Sequence, residues 1–277
     1  MLSTRDVKRK IRTVRNIEQI CRAMKTVASI KLRRADALVR AARPYADKMA
    51  AILESLGAVE IEHPLLQHRT VRTTGIIAVS ADRGLCGSYN TNVIRRAQLA
   101  VRGAERPQLI TIGRKASDFF RRAGGEVRDR LSPLGDEVDF GHLSRVADLA
   151  AQLYADGQWD AVDLIYTRFL RGRQSPVAQE RLLPVARRPQ APREFIYEPS
   201  APRLLDELLP RFIRTRLWAA LLDAKAAEHE ARVTAMTLAT DNAQEMIDSL
   251  TLQYNKARQA AITGELLDIV GTAEALA

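Results

Sequence analysis

Two cysteines, four histidines and one glycine-bearing loop are the residues of this 277-residue chain whose types and spacing invite a chemical reading. The loop, Ser80-Ala81-Asp82-Arg83-Gly84-Leu85-Cys86-Gly87-Ser88, follows an apolar run and precedes a helical one, which is where α/β folds hold phosphates. Its glycines match neither G-x-G-x-x-G nor G-x-x-x-x-G-K-[ST], so no lysine is placed to reach a phosphate and the loop is not shaped to wrap one. A structural turn is the expectation, with anion binding as the alternative. To act as a nucleophile, Cys86 needs an orienting His and carboxylate. His63, His68, His142 and His229 share no motif spacing with it or with each other, so they read as ordinary surface or core histidines. Cys21 and Cys86 form no C-x-x-C, which argues against a zinc knot or a disulfide scaffold and leaves two structural thiols. There is no H-E-x-x-H, and the carboxylate pairs near the C-terminus read as solvated faces. The chain is therefore expected to perform no catalysis of its own and to need no metal or cofactor.

The elements that position these residues are two long helices and a domain between them. From Arg211 to Ala277 there is no Pro, and Gly occurs only at 264 and 271. Roughly 60 residues can thus continue as one helix of about 90–100 Å. Such a rod outruns any domain this chain can build, and the seven-step series Phe212, Ala219, Ala226, Val233, Thr240, Ile247, Tyr254, Ala261 marks a seam for a partner helix. At the other end, residues 4–43 lack Gly and Pro, and every seventh residue from Val7 is apolar: Val14, Cys21, Ala28, Ala35, Ala42. The second seam position is ambiguous between Ile17, Met24, Leu38 and, one residue later, Ile11, Leu32, Val39. Small residues at 28, 35 and 42 permit close approach of the Ala-rich 219–227 stretch. We expect the two helices to wrap each other antiparallel; the alternative is two amphipathic helices packed separately on the domain between them.

Pro44, Gly57 and His63-Pro64 break the chain after the first helix. From Gly75 the period changes to strand, Gly-bearing turn and helix: strands at 75–80 and 107–112, helices at 90–101, 115–123 and 143–155, and a strand within 159–169 that 177–185 can pair across a turn. This implies a mainly parallel α/β domain. Pro189, Pro192, Pro199 and Pro202 read as an exit linker, and Pro210 as the start or kink of the long helix. The predicted division is 1–58 as the N-terminal coiled-coil helix, 75–190 as a central Rossmann-like α/β domain and 204–277 as the C-terminal coiled-coil helix.

The net charge of +10 is concentrated: residues 1–45 hold 13 Lys/Arg against 3 Asp/Glu, and the remainder is balanced. The basic segment faces solvent, nucleic acid, an anionic membrane or an acidic protein. No stretch approaches 18 uninterrupted apolar residues and the N-terminus is charged where a signal peptide is apolar, so neither membrane spanning nor export is expected.

Three stretches, in order over nearly the whole length, resemble the gamma subunit of F-type ATP synthase. IRTVRNIEQICRAMKTVASIKLRRA followed by ARPYA is similar to the family's opening helix. VSADRGLCGSYN is similar to its S-x-D-R-G-L-C-G loop, and the end from ARVTAMTLATDNAQEM through YNKARQA and ITGELL resembles its closing helix. The resemblance implies a noncatalytic central-stalk rotor, its terminal helices forming an antiparallel coiled coil inside a ring of alpha and beta subunits. It places the α/β domain beside the epsilon subunit and the c-ring, peripheral to the membrane at the cytoplasmic face of a bacterial plasma membrane, with no nucleic acid involved. It implies shaft coupling contacts at Met24, Lys25 and Arg232, further ones at Gln259, Thr263 and Glu265 near the tip, and foot contacts to the c-ring or epsilon at Tyr197 and Glu198. Gly264, where the family usually has a better helix former, puts tip rigidity in question, at about 1 kcal/mol. Ser88-Tyr89 replaces the frequent Gly-Leu. The alternative reading is a nucleic-acid-binding protein using the basic helix, against which stands the lack of any aromatic residue before Tyr45.

Overall fold

The computed structural model of the chain describes residues 4–56, 62–135, 139–186 and 200–275. Helix α1 (Thr4–Leu56) leads to a five-stranded sheet with the order β3-β2-β1-β4-β5. Its strands are β1 (Thr73–Val79), β2 (Arg106–Ile112), β3 (Val127–Leu131), β4 (Ala161–Thr167) and β5 (Val177–Leu183). The first four are parallel, and β5 pairs antiparallel with β4. Between the strands lie α2 (Tyr89–Gly103), α3 (Arg114–Arg122) and α4 (Phe140–Ala155), and the chain closes with α5 (Ala201–Ala275).

The parallel strands β1 and β4 are mainly apolar and buried nearly throughout because helices cover both of their faces. On one face Ile76, Ala78, Leu109 and Ile165 pack with Val93 and Ala97 of α2 and Ala116 and Phe120 of α3. On the other, Ile77, Val79, Ile110 and Ile112 pack with Leu143 and Ala147 of α4 and with Leu209, Ile213 and Leu217 of α5. Gly75 makes room for the buried Trp159, whose ring a Cβ at 75 would meet at 2.2 Å.

Two compact units share the long helices: Ser29–Arg232, and Met1–Ala28 with Val233–Ala277. In the second, Val7, Ile11 and Val14 of α1 pack on Ile247, Leu250 and Tyr254 of α5. In the first, Ala35 and Val39 pack with Leu222, Ala226 and Ala227. Within this first unit Lys31 acts on His229 and Arg43 lies 4.0 Å from Asp223, so numbers fall on α5 as they rise on α1, the pairing there is antiparallel, and small residues meet small ones as the sequence suggested. The ambiguity of the second seam position resolves in favour of Ile11 and Val39, both buried, whereas Ile17 and Leu38 are 50% and 55% exposed. The same 4-3 spacing places Glu18 and Lys25 on the seam, and these two charges are why the apolar pattern alone does not choose the phase. Glu18 is buried and bonded to Arg22.

Two expected breaks do not occur. α1 runs through Pro44 to Leu56, and α5 begins at Ala201 and runs through Pro210. A proline inside a helix costs roughly 3 kcal/mol, which burial of Leu205, Leu209, Ile213 and Leu217 on one side of α5 offsets. Of the expected linker prolines, Pro189, Pro192 and Pro199 lie outside the described residues. Pro202 sits in the first turn of α5, where its missing N–H costs little.

Candidate functional site

In a sheet of this order the strand sequence reverses between β1 and β4, and the crevice beyond the carboxyl ends of those strands is where open α/β folds bind ligands. Here that crevice is filled from within. Ala81, Cys86 and Tyr89 after β1 and Phe169 after β4 form one buried cluster with Ala35 and Val39 of α1 and Leu222, Ala226 and Ala227 of α5.

The polar groups of the Ser80–Ser88 loop are likewise turned inward. Ser80 Oγ accepts from the Ala116 N–H at 2.9 Å. Asp82 accepts from the N–H of Arg114 at 2.9 Å and of Leu134 at 2.7 Å, tying two later loops to this one. Asn90 accepts from the Ala81 N–H at 3.0 Å and donates to the Arg83 carbonyl at 3.3 Å. Cys86 is 1% exposed and burial pushes its thiol pKa up, the opposite of what a nucleophile requires. The loop is thus the structural turn expected, with its acceptors satisfied by backbone. Tyr89 donates its hydroxyl to the Ala224 carbonyl of α5 at 3.0 Å and so fastens the loop to the long helix.

Beneath the loop, α5 carries a cluster whose carboxylate the sequence suggests is solvated and whose His229 reads as an ordinary surface or core histidine. Glu228 is 5% and His229 7% exposed. Arg232 donates to Glu228 at 2.8 Å, reaches His229 Nδ1 at 3.2 Å and donates to the Gly84 carbonyl at 3.4 Å. Lys225 lies 3.6 Å from Glu228 and donates to the Gly135 carbonyl at 2.9 Å. The i, i+3 and i+4 spacings of Lys225, Glu228 and Arg232 were legible in the sequence; that the loop would close over them was not, because Gly84 is 148 positions from Arg232 and Gly135 is 90 from Lys225. Since guanidinium only donates, His229 Nδ1 accepts, which requires a neutral ring protonated on Nε2.

His229 is held neutral by burial, which lowers its pKa to about 4; Glu228 opposes this, while Arg232, Lys225 and Lys31 reinforce it. Asp223, beside a cavity of about 180 Å³ lined also by Arg43, Tyr166 and Arg216, is pushed up to about 6 by burial, against the lowering effect of Arg43, Arg168 and Arg216. The two act oppositely. His229 contributes stability above the unfolded-state value of 6.5 that is lost as pH falls towards 4, whereas Asp223 contributes stability at low pH that is lost as pH rises through 6. Relative to the parent chain, His229→Gln is expected to gain stability as pH is lowered from 6.5 to 4, and Asp223→Asn to lose it. Each differs by roughly 2–3 kcal/mol in urea unfolding across that window.

The residues implied by resemblance are distributed as follows. Met24 and Lys25 are half-buried on α1, Gln259 and Thr263 are exposed on α5, and Glu265 lies in the same helix. Arg232 belongs to the other unit, engaged with the partners just described. Tyr197 and Glu198 lie outside the described residues. α5 continues through Gly264, and a Cβ there would meet nothing within 4 Å. Gly264→Ala is therefore expected to strengthen this part of the helix by about 1 kcal/mol, read as slower amide exchange at residues 260–268.

A family model described as ATP synthase matches residues 3–276. Among curated relatives, the ATP synthase gamma chain of Moorella thermoacetica is 46% identical and that of Heliobacterium modesticaldum 42% identical, each match covering 100% of both chains. Among solved structures, a chain of the Euglena gracilis mitochondrial ATP synthase (OSCP/F1/c-ring, rotational state 3) superposes with a TM-score of 0.74 at 19% identity, covering 99% of this chain and 94% of that one. A chain of the Tetrahymena thermophila mitochondrial ATP synthase central stalk/c-ring gives 0.63 at 23% identity, covering 79% and 99%. These two support the fold.

Proposed function

The chain belongs to the ATP synthase gamma-chain family and is a central-stalk subunit of that complex, and on that premise we propose how it works as a rotor without chemistry of its own. The observation that carries the proposal is the pairing of full-length identity to gamma chains with a ligand crevice plugged by the chain's own long helices. In this reading residues 1–58 and 204–277 form the shaft and 75–190 the lobe at its foot. The shaft stands inside the ring of alpha and beta subunits, and the foot meets epsilon and the c-ring through Tyr197 and Glu198.

A single asymmetric shaft cannot touch equivalent beta subunits alike, so it biases their nucleotide sites to different states, and turning it cycles those states. Proton or sodium flow turns it for synthesis; hydrolysis turns it back. Met24, Lys25 and Arg232 serve the coupling contacts, and Gln259, Thr263 and Glu265 the tip. The exposed cations of α1 attract an acidic partner surface, and their exposure supports weak, sliding attraction rather than desolvated bridges, which would act as brakes. Among the described residues no helix is long and apolar enough to cross a membrane, and in this reading the subunit is peripheral, on the cytoplasmic face of a bacterial plasma membrane. The reading of α1 as a nucleic-acid arm finds no support in these relationships.

The purified chain is expected to hydrolyse no ATP alone, and with alpha and beta subunits to co-purify as a complex with cooperative ATPase activity. Failure to co-purify would overturn the assignment.

A further inference from the structure

The layer formed by α2 and α3 has an outward face unlike the rest of the lobe. Both helices bury one side against the same face of the sheet, through Val93 and Ala97 on α2 and Ala116 and Phe120 on α3. Their opposite sides are therefore exposed together. α2 presents Arg95, Arg96 and Arg102 there. α3 adds Arg114, Lys115, Arg121 and Arg122. Against these seven cations the two helices hold one carboxylate, Asp118, which pairs with Arg121 at 3.3 Å. Among the described residues, no other ion pair is made by the seven. The concentration is invisible in a segment-by-segment charge count, because residues 46–277 are neutral as a whole.

We propose that this face of α2 and α3 is an electrostatic contact for the anionic headgroups of a phospholipid bilayer. The inference rests on the central-stalk reading, which brings the lobe to a membrane-bound machine. Three features favour a lipid surface over a folded partner or a nucleic acid. A stable protein interface has an apolar centre with aromatic anchors, whereas the large apolar side chain exposed on these helices is Leu99 alone among the described residues. Single-stranded nucleic acid is held by stacking on exposed aromatic rings, and the ring carbons of Phe119 and Phe120 are turned to each other and to the core, with centroids 5.3 Å apart. The cations, six arginines and one lysine with Asp118 as the one carboxylate among them, lie on a broad two-helix face, which suits a diffuse sheet of phosphates attracting each cation within a Debye length. A fluid anionic leaflet also presents the same potential at every rotary angle, so attraction to it does not select a resting position.

The test is flotation of the reconstituted complex with vesicles of phosphatidylglycerol and phosphatidylcholine, and with phosphatidylcholine alone, at several salt concentrations. The triple variant Arg95→Gln, Arg102→Gln, Arg122→Gln is compared with a control of equal charge change elsewhere, Arg145→Gln, Arg173→Gln, Arg203→Gln. Apparent affinity for anionic vesicles is expected to fall on the order of 100-fold in the first variant. It should change far less in the control, with ATPase activity unaltered in both. Equal losses in the two variants, or none in the first, would overturn the proposal. So would loss of duplex DNA binding by the first variant with vesicle binding intact, which assigns the face to nucleic acid. The isolated chain allows the same comparison of variants, so failure of the complex to assemble counts against the rotor reading and not against this one.

Discussion

Gly113→Ala lowers the unfolding free energy of the α/β lobe by about 2–6 kcal/mol, a sum of roughly 1–3 for a side chain forced into a left-handed backbone conformation and 1–3 for overpacking. Gly113 has φ +92° at the entry to α3, and a Cβ there would lie 2.1 Å from the Ser80 carbonyl oxygen and 2.9 Å from Ser80 Oγ. Neither atom is free to retreat. Ser80 donates its N–H to the Ile112 carbonyl at 2.8 Å, its hydroxyl accepts from Ala116, and Gly113 itself donates to the Leu131 carbonyl at 2.9 Å. The strain therefore spreads to the first turn of α3 and to the loop that Asp82 ties to it. Urea unfolding monitored by the fluorescence of Trp159, buried against Gly75 of the same sheet, reads the loss. A midpoint equal to that of the parent would show that the close approach is not as tight as 2.1 Å.

Arg232→Ala is the second large effect, about 3 kcal/mol, at the lower end of the range for breaking a buried ion pair because Lys225 still faces Glu228 after the guanidinium is gone. Its partners make the outcome specific. Lysine keeps the charge but cannot engage Glu228, His229 Nδ1 and the Gly84 carbonyl at once, so Arg232→Lys is expected to lose most of the same stability. In the assembled complex both variants should show ATPase activity with reduced proton pumping per ATP, since the proposed coupling contact is oriented by the loop it grips. If Arg232→Lys keeps pumping and only Arg232→Ala loses it, the charge itself is the coupling element and the grip on Gly84 is incidental.

The sheet was legible in the sequence because its strands carry their own signal: the apolar run Ile76–Val79 marks β1, the alternation between Trp159 and Phe169 marks β4, and the turn before Val177 announces the antiparallel β5. The paired helices were legible because a seven-residue period survives from Val7 to Ala42. What escaped detection depended on distant covering groups. Pro44 and Pro210 look like breaks until the buried faces around them are counted, and Glu228 looks solvated until the Gly84 loop closes over it. Glu18 and Lys25 hid the phase of the seam for the same reason, since a charge on a seam is read as the edge of the stripe. Arg232 was named through resemblance alone, and its ties to Glu228, His229 and Gly84 belong to no linear motif.

The last turns of α5 have a consequence for the life of the chain before assembly. Leu266, Leu267, Ile269 and Val270 are each more than half exposed on consecutive turns, a contiguous apolar surface of the kind that drives association in solution. A newly made copy thus carries an adhesive end until something covers it. Synthesis in excess of its partners is expected to send the surplus into inclusion bodies or to proteases, so the supply of this subunit is policed by its own exposed terminus.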